Sequence, residues 1–364
     1  MGSLTNLPLP RTAEQVTAEW LSNVLGYKVK AAEVTRTVLD ETASKLFITC
    51  HYQDESSQES RPRYLCVKGG LNPDMFNLEG YHEILKLIYT REALFFSRIA
   101  PKLRPELILP KIWWAGADME MGQGINVMED LNHVGATFGN PLDDWSVDSV
   151  KIGIEQLAAL HSSTWGMTAT DENAWITRGY DQVFLGLTMN WDNMINGEGR
   201  PEFPSIIKGS RSRVVAALTK HFAIRNPRFQ ALLHGDPHTA NTFFDKAGNP
   251  RFLDWQLLHI GSVFHDFAYF VVGALSVEDR RQHEVEIVTH YLDTLHRFGV
   301  PKMTVDDPEV MIEYRKSCMS GIGWMLTPYN MQRKERVVAM SARYCAAIVD
   351  HEVIELLESL PGPE

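Results

Sequence analysis

No run of apolar residues in this chain approaches the ~20 needed to cross a membrane as a helix. Its first residues, MGSLTNLPLPRTAEQ, also lack the apolar core of a secretory leader. The expectation is a cytoplasmic protein with no membrane span. Cysteine is scarce: Cys50, Cys66, Cys318 and Cys345 stand singly, with no CxxC pair and no histidine at metal-ligand spacing. That excludes a disulfide scaffold or zinc finger and leaves the four thiols as reduced core residues. Positive charge is short as well, with 35 Lys and Arg against 46 Asp and Glu and a formal net charge of −11. Affinity for phosphate backbones comes from clustered Lys and Arg, so nucleic acid is not an expected partner. Internal repeats and low-complexity segments are absent too.

What is present is an average globular composition, 44% hydrophobic and 22% charged, over 364 residues, enough for two domains with proper cores. Residues 13–25 carry apolar side chains at helical spacing, and Glu33–Leu39, Leu46–Tyr52 and Tyr64–Lys68 are rich in β-formers. The polar, proline-containing DESSQESRPR between the second and third of these reads as an exposed hairpin loop. Residues 81–99 read as an amphipathic helix, Ile125–Met128 as a buried strand, and Glu129-Asp130-Leu131-Asn132 as a turn. From Asp143-Asp144-Trp145-Ser146 the pattern is mainly helical: through Trp165, then 211–223, 263–275, 278–298, 308–326 and 333–359. Residues 233–255 interrupt it with short β-like segments around the turn Lys246–Pro250. The fold class expected is two-lobed α+β, a small lobe of antiparallel sheet plus helix over residues 1–130 and a helical lobe over 131–364.

The β-like interruption carries the chemistry. Leu233-His234-Gly235-Asp236-Pro237-His238-Thr239-Ala240-Asn241-Thr242-Phe243-Phe244 sets an Asp and an Asn five positions apart on a loop entering a strand. Phosphoryl transfer needs a carboxylate to take the hydroxyl proton and hard oxygen ligands for Mg²⁺, and Asp236 and Asn241 are the residue types for those roles. A further carboxylate, Asp254, follows thirteen residues after Asn241 in Phe252-Leu253-Asp254-Trp255, where a hairpin would bring the two to the same end.

HGDPHTANTFF, FLDWQ and His265-Asp266-Phe267-Ala268-Tyr269-Phe270 together resemble the phosphotransferase family that includes aminoglycoside and choline kinases, especially its ecdysteroid-kinase-like branch. The resemblance runs over roughly residues 35–275 and implies a protein-kinase-like fold with ATP between the lobes. It makes Asp236 the catalytic base, Asn241 and Asp254 the Mg²⁺ ligands, and His234 and Asp266 the residues bracing the loop. It makes Lys68 the phosphate-binding lysine, with Glu92, or secondarily Glu83, as ion-pair partner. Val127-Met128-Glu129-Asp130-Leu131 resembles the hinge whose backbone at Glu129 and Leu131 holds adenine, and Leu157-Ala158-Ala159-Leu160-His161 the helix that follows. One departure stands out: Asp40-Glu41-Thr42-Ala43-Ser44-Lys45 takes the place of the phosphate-covering loop without any glycine, leaving Ser44 as a phosphate donor.

The function implied is ATP- and Mg²⁺-dependent phosphorylation of a hydroxylated small molecule, whether sterol-like alcohol, amino alcohol, sugar or natural product. The alternative, which the glycine-free loop favours, is a silent or repurposed kinase fold that binds a nucleotide or metabolite, or a fold turned to other chemistry. Blander readings exist for single residues: HGD as a mere turn, His234-Asp236-His238 as a zinc cluster, Lys68 and Glu92 as solvated charges. His161 reads as a satisfied core histidine, and Trp165, Trp191, Trp255, Trp324 and Tyr329 as core aromatics, the last two being weak candidates for a substrate wall. Glu352, Glu355 and Glu358 read as a solvated helix face. Residues 166–210 are left to cover the acceptor site, and oligomeric state is left open.

Overall fold

Alternation along three strands decides the first of two units into which the chain divides. The structure, a computed structural model, describes residues 8–39, 42–53, 61–76, 82–176 and 179–362. Asp40, Glu41, residues 54–60 of the polar stretch and Tyr81 at the start of the expected helix lie outside the described residues. The first unit comprises residues 1–103, 108–137 and 253–257. Its order is α1 (Ala18–Leu25), β1 (Val29–Val38), β2 (Ser44–Tyr52), β3 (Tyr64–Gly69), α2 (Pro73–Phe76), α3 (His82–Leu94), β4 (Ile112–Asp118) and β5 (Gln123–Glu129). The strands form one antiparallel sheet in the order β1-β2-β3-β5-β4.

Successive strand side chains point to opposite faces. Leu46, Ile48, Leu65, Val67, Ile125 and Val127 pack with Trp20, Leu21 and Val24 of α1 on one side. Phe47, Cys66 and Met128 form a separate cluster, and Lys68, two residues after Cys66 and in register with Asn126, shares its face. The Thr17 hydroxyl accepts the Trp20 N–H, so α1 starts at Ala18 rather than at residue 13, and Gly26 ends it at φ 71°. The helix expected over 81–99 keeps its α-form only to Leu94; five residues in wider turns, Phe95–Ile99, follow, with Phe95 and Phe96 both buried, before Pro101. Strand β4 gives no sequence signal: all seven of its residues are half-buried, which erases alternation, and Gly116 sits in its middle.

The second unit comprises residues 104–107, 138–252 and 258–364. From a two-residue strand, β6 (Thr137–Phe138), whose first residue still belongs to the first unit, the chain leads to α4 (Val147–Ser163), whose first turn is capped by Ser146. Then come α5 (Gly179–Leu187), α6 (Trp191–Ile195), α7 (Ser205–Lys208), α8 (Arg211–Ala223), β7 (Gln230–Leu233), β8 (Thr242–Phe244), β9 (Pro250–Phe252), β10 (His259–Ser262) and α9 (Val263–Ala274). The chain finishes with α10 (Val277–Arg297), α11 (Pro308–Ser317), α12 (Ile322–Leu326), α13 (Lys334–Asp350) and α14 (Val353–Ser359). Strand β7 pairs with β10 and β8 with β9, the latter through a turn in which Asp245 Oδ1 accepts the Ala247 and Asn249 N–H groups.

Helix α9 is buried along its whole length, and an all-round apolar helix belongs at the centre of a core. Two expected helices are broken. The 308–326 segment tightens at Cys318–Gly321, where the Tyr344 ring lies so close that a Cβ on Gly321 would meet it at 2.0 Å. The 333–359 segment stops at Asp350, which holds Arg280 and Arg281, and Glu352 takes φ 48° before α14. Cys50, Cys66, Cys318 and Cys345 are buried free thiols.

A Cβ added at Gly124 of β5 would meet the Tyr89 carbonyl oxygen of α3 at 2.0 Å, a contact with backbone that no rotamer relieves. Gly124→Ala should therefore destabilise the protein by about 1–3 kcal/mol, read as a lower urea midpoint.

Candidate active site

In the first unit the sheet carries Lys68 into the interior, where an unpaired ammonium would be costly. Its Nζ donates to Glu92 Oε1 at 3.0 Å and forms a short ion pair with Asp254 Oδ1. Lys68 and Glu92 are almost wholly buried, whereas 28% of the Asp254 side chain is exposed. Burial acts to lower the Lys68 pKa, but the two carboxylates outweigh it and hold the group above its ordinary value, so it stays charged. Glu92 is pushed up by burial against the pull of Lys68. It is fixed from two further sides, by the Trp255 N–H on Oε1 at 3.2 Å and Asn126 Nδ2 on Oε2 at 3.2 Å. Glu83, the secondary candidate, is solvent-exposed and pairs with Lys86 at 3.2 Å. Asp254 sits at φ 66°, left-handed backbone that a non-glycine residue holds only at a cost of order 1 kcal/mol.

The strip after β5 is pinned by its backbone. Glu129 N–H donates to the Lys111 carbonyl at 2.9 Å while Glu129 Oε1 accepts the Lys111 N–H at 2.8 Å. Asp130 N–H reaches the Tyr64 carbonyl at 3.1 Å, and the Leu131 carbonyl accepts the Ala136 N–H at 3.0 Å. Ser44 opens β2, is 2% exposed and stands in register with Gly69.

In the second unit the loop after β7 is built on a single carboxylate. Asp266, in the first turn of α9 and fully buried, accepts the His234 N–H on Oδ2 at 2.6 Å and the Gly235 N–H on Oδ1 at 3.0 Å. His161 Nε2 lies 3.1 Å from Oδ2, and its Nδ1 lies 2.6 Å from the Tyr291 hydroxyl. Burial acts to raise Asp266, but the His161 hydrogen bond and the neighbouring imidazoles prevail and hold it down at about 2. Gly235, at φ 87°, turns the chain, and Asp236 N–H donates to His234 Nδ1 at 3.3 Å.

Asn241 Nδ2 donates to the Asp236 carbonyl at 2.9 Å and to its Oδ2 at 3.1 Å, so the two residues five positions apart do meet. His238 Nδ1 accepts the Ala240 N–H at 3.2 Å, which in the neutral ring leaves the proton on Nε2, 3.5 Å from Asp236 Oδ2. Both imidazoles of the HxDxH pattern thus serve the loop's own backbone, and among the described residues no His, Cys, Asp and Glu cluster is arranged to hold a metal ion. Trp324 packs edge-on to His238 at 5.4 Å, its indole Nε1 buried without a partner among the described residues. Tyr329 hydrogen-bonds the Gly199 carbonyl beside Arg200, and Arg200 ties the Met194, Met325 and Thr327 carbonyls together.

The ecdysteroid kinase-like family matches this chain over residues 40–299, well over half its length. The chain belongs to the ecdysteroid kinase-like family. A comparison with curated proteins gave no match. Among solved structures the amicoumacin kinase hAmiN, in complex with AMP-PNP, Ca²⁺ and Ami, is 14% identical with a TM-score of 0.51, covering 94% of this chain and 95% of its own. The choline kinase LicA from Streptococcus pneumoniae is 15% identical with a TM-score of 0.47, covering 91% of this chain and 97% of its own. Ethanolamine kinase Pv091845 of Plasmodium vivax is 12% identical with a TM-score of 0.48, covering 88% and 83%. At such identities the amicoumacin kinase shows the fold alone, a two-lobed kinase-like α+β fold.

Three contributors in this ecdysteroid kinase-like chain were read from the sequence without their partners. Asn126 reads as one polar residue in a buried strand, yet it takes the second oxygen of Glu92. His161 is the satisfied core histidine expected, but what satisfies it is Asp266. His265, noted only as part of a motif, has its Nε2 3.3 Å from the Gly235 carbonyl. Only the doubling of His265 with Asp266 pointed to it.

The Asp266 pKa of about 2 against an ordinary 3.8 fixes a pH dependence. The depressed value contributes stability above pH ~4, on the order of 2 kcal/mol, which is lost as pH falls through 4 towards 2. In urea titrations across that window Asp266→Asn should be less stable at neutral pH and should shed about one proton of the acid-limb slope.

Proposed function

We propose that this protein is a magnesium-dependent kinase that moves the γ-phosphoryl group of ATP onto a hydroxyl of a small molecule. The observation that supports the reading most is the charge of Lys68 kept in the interior by two carboxylates, one of them still reached by solvent. One carboxylate suffices to pair a buried lysine; the second, Asp254, adds a partly exposed hard oxygen group suited to a cation. Asn241 fits the same role: its Nδ2 is spent on Asp236, which leaves Oδ1, a hard oxygen, to offer. When bound, magnesium with its nucleotide supplies neutralisation of charge on the phosphoryl oxygens.

Within the chain, Lys68 steadies phosphate oxygens and Glu92 orients Lys68. Asn241 and His238 both address Asp236 Oδ2, leaving Oδ1 to receive the acceptor's hydroxyl proton. The acceptor oxygen forms its bond to the γ-phosphorus as the bond to the β-phosphate oxygen breaks, giving ADP and a phosphate ester, and the proton passes from Asp236 to water. The backbone at Glu129 and Leu131 receives the base, Ser44 donates to phosphate, and His234 and Asp266 hold the loop. The acceptor is a hydroxylated metabolite, and the working compartment is the cytoplasm.

Thermal stability with ATP and Mg²⁺ tests the reading, since a ligand that binds only the folded state raises it. The native protein and Asp236→Ala should both be stabilised, and Asp254→Asn should lose the shift. With hydroxylated acceptors offered as a panel, gain of one phosphate by mass should fall by about a hundredfold or more in Asp236→Ala. Absence of any shift at millimolar ATP would instead support the silent-fold reading.

A further inference from the structure

On the second unit a cavity of about 30 Å³, without Asp236 among its lining residues, opens to solvent between α8, the β7–β10 pair and the end of α11. On the scale where one water needs about 10–15 Å³, that is room for a few waters or a small ion. Its wall carries two cations, Arg225 and Lys316, and the imidazoles of His221, His259 and His265. Among the described residues no Asp or Glu lines it, in a chain of formal charge −11. Lys316 pairs with Glu313 at 2.6 Å, whose other oxygen accepts the Ser262 hydroxyl at 2.8 Å. Arg225 is exposed at the rim and makes no ion pair among the described residues.

A second observation points to a ligand. Ser317 lines the cavity, is 1% exposed, and its hydroxyl has no hydrogen-bond partner among the described residues. Buried hydroxyls are seldom left so, because the lost water is not replaced. We propose that this cavity binds a small phosphate-like oxyanion, with the Arg225 guanidinium, the Lys316 ammonium and the Ser317 hydroxyl as donors. Charge-assisted donors favour an oxyanion over a neutral solute in such a pocket.

The back wall carries occupancy to the loop. The Gly235 carbonyl can only accept, so His265 Nε2 bears a proton and, in the neutral ring, Nδ1 accepts from the Ser320 hydroxyl at 2.7 Å. Ser320 oxygen then accepts from His221 Nε2 at 3.1 Å. An ion beside His221 is thus three hydrogen bonds from the residue that precedes Asp236. The site lies in the second unit alone and does not rest on the kinase reading.

The test is titration with potassium phosphate against potassium chloride at equal ionic strength, without nucleotide, following thermal stability and the His221 imidazole nitrogen signals. Expected is a saturable stabilisation with a His221 shift in the native protein and in Lys68→Met, needing at least about tenfold more phosphate in Arg225→Glu and in Ser317→Val. Stabilisation no greater than with chloride overturns the proposal. So does an effect unchanged in Arg225→Glu, and one kept there but lost in Lys68→Met assigns the phosphate to the Lys68 group. Arg225 is exposed, so its variant should fold; should Lys68→Met fail to, the His221 signal in the native protein and Arg225→Glu decides alone.

Discussion

A fully buried carboxylate tolerates no vacancy among its donors, and Asp266 is the point on which the second unit turns. Two backbone N–H groups of the loop and an imidazole from α4 converge on it. Because those N–H groups belong to His234 and Gly235, the carboxylate dictates where the chain runs before it reaches Asp236. The left-handed φ of Gly235 then turns it, and the His234 ring catches the Asp236 N–H. Asp236 inherits its place from a carboxylate thirty positions later in the sequence.

The first unit solves a related problem with opposite means. There the buried charge is a cation, and the sheet brings it to two anions rather than to neutral donors. Neutral donors hold a carboxylate fixed, whereas an ion pair with one partly exposed member keeps that member within reach of solvent.

Much of this was readable because the chemistry-bearing residues are close in sequence: Asp236 and Asn241 share one loop, and their contact follows from its length. Lys68 was readable as the end of a strand whose odd positions are apolar. The Glu92 partnership came from resemblance, since helical spacing alone permits Glu83 as well. What stayed hidden is set by packing between distant segments. Strand β4 has no alternation because neither of its faces is fully covered. The break at Gly321 exists because Tyr344 needs the space, and the break at Asp350 because two arginines from α10 claim its carboxylate. The chain from His221 through Ser320 to His265 joins residues up to 99 positions apart, beyond the reach of any periodicity.

The membership of residues 253–257 in the first unit has a consequence for how the protein is made. Trp255 stacks on Phe95 at 4.3 Å, Leu257 packs against the cluster of Phe76, Leu85, Ile88 and Tyr89, and the Trp255 amide completes the setting of Glu92. A ribosome that has delivered only the first 137 residues has therefore delivered a sheet whose helix still lacks part of its cover and whose lysine has one carboxylate instead of two. The amino-terminal unit finishes folding only after about half of its neighbour has been synthesised, so the two units cannot mature strictly in the order of translation.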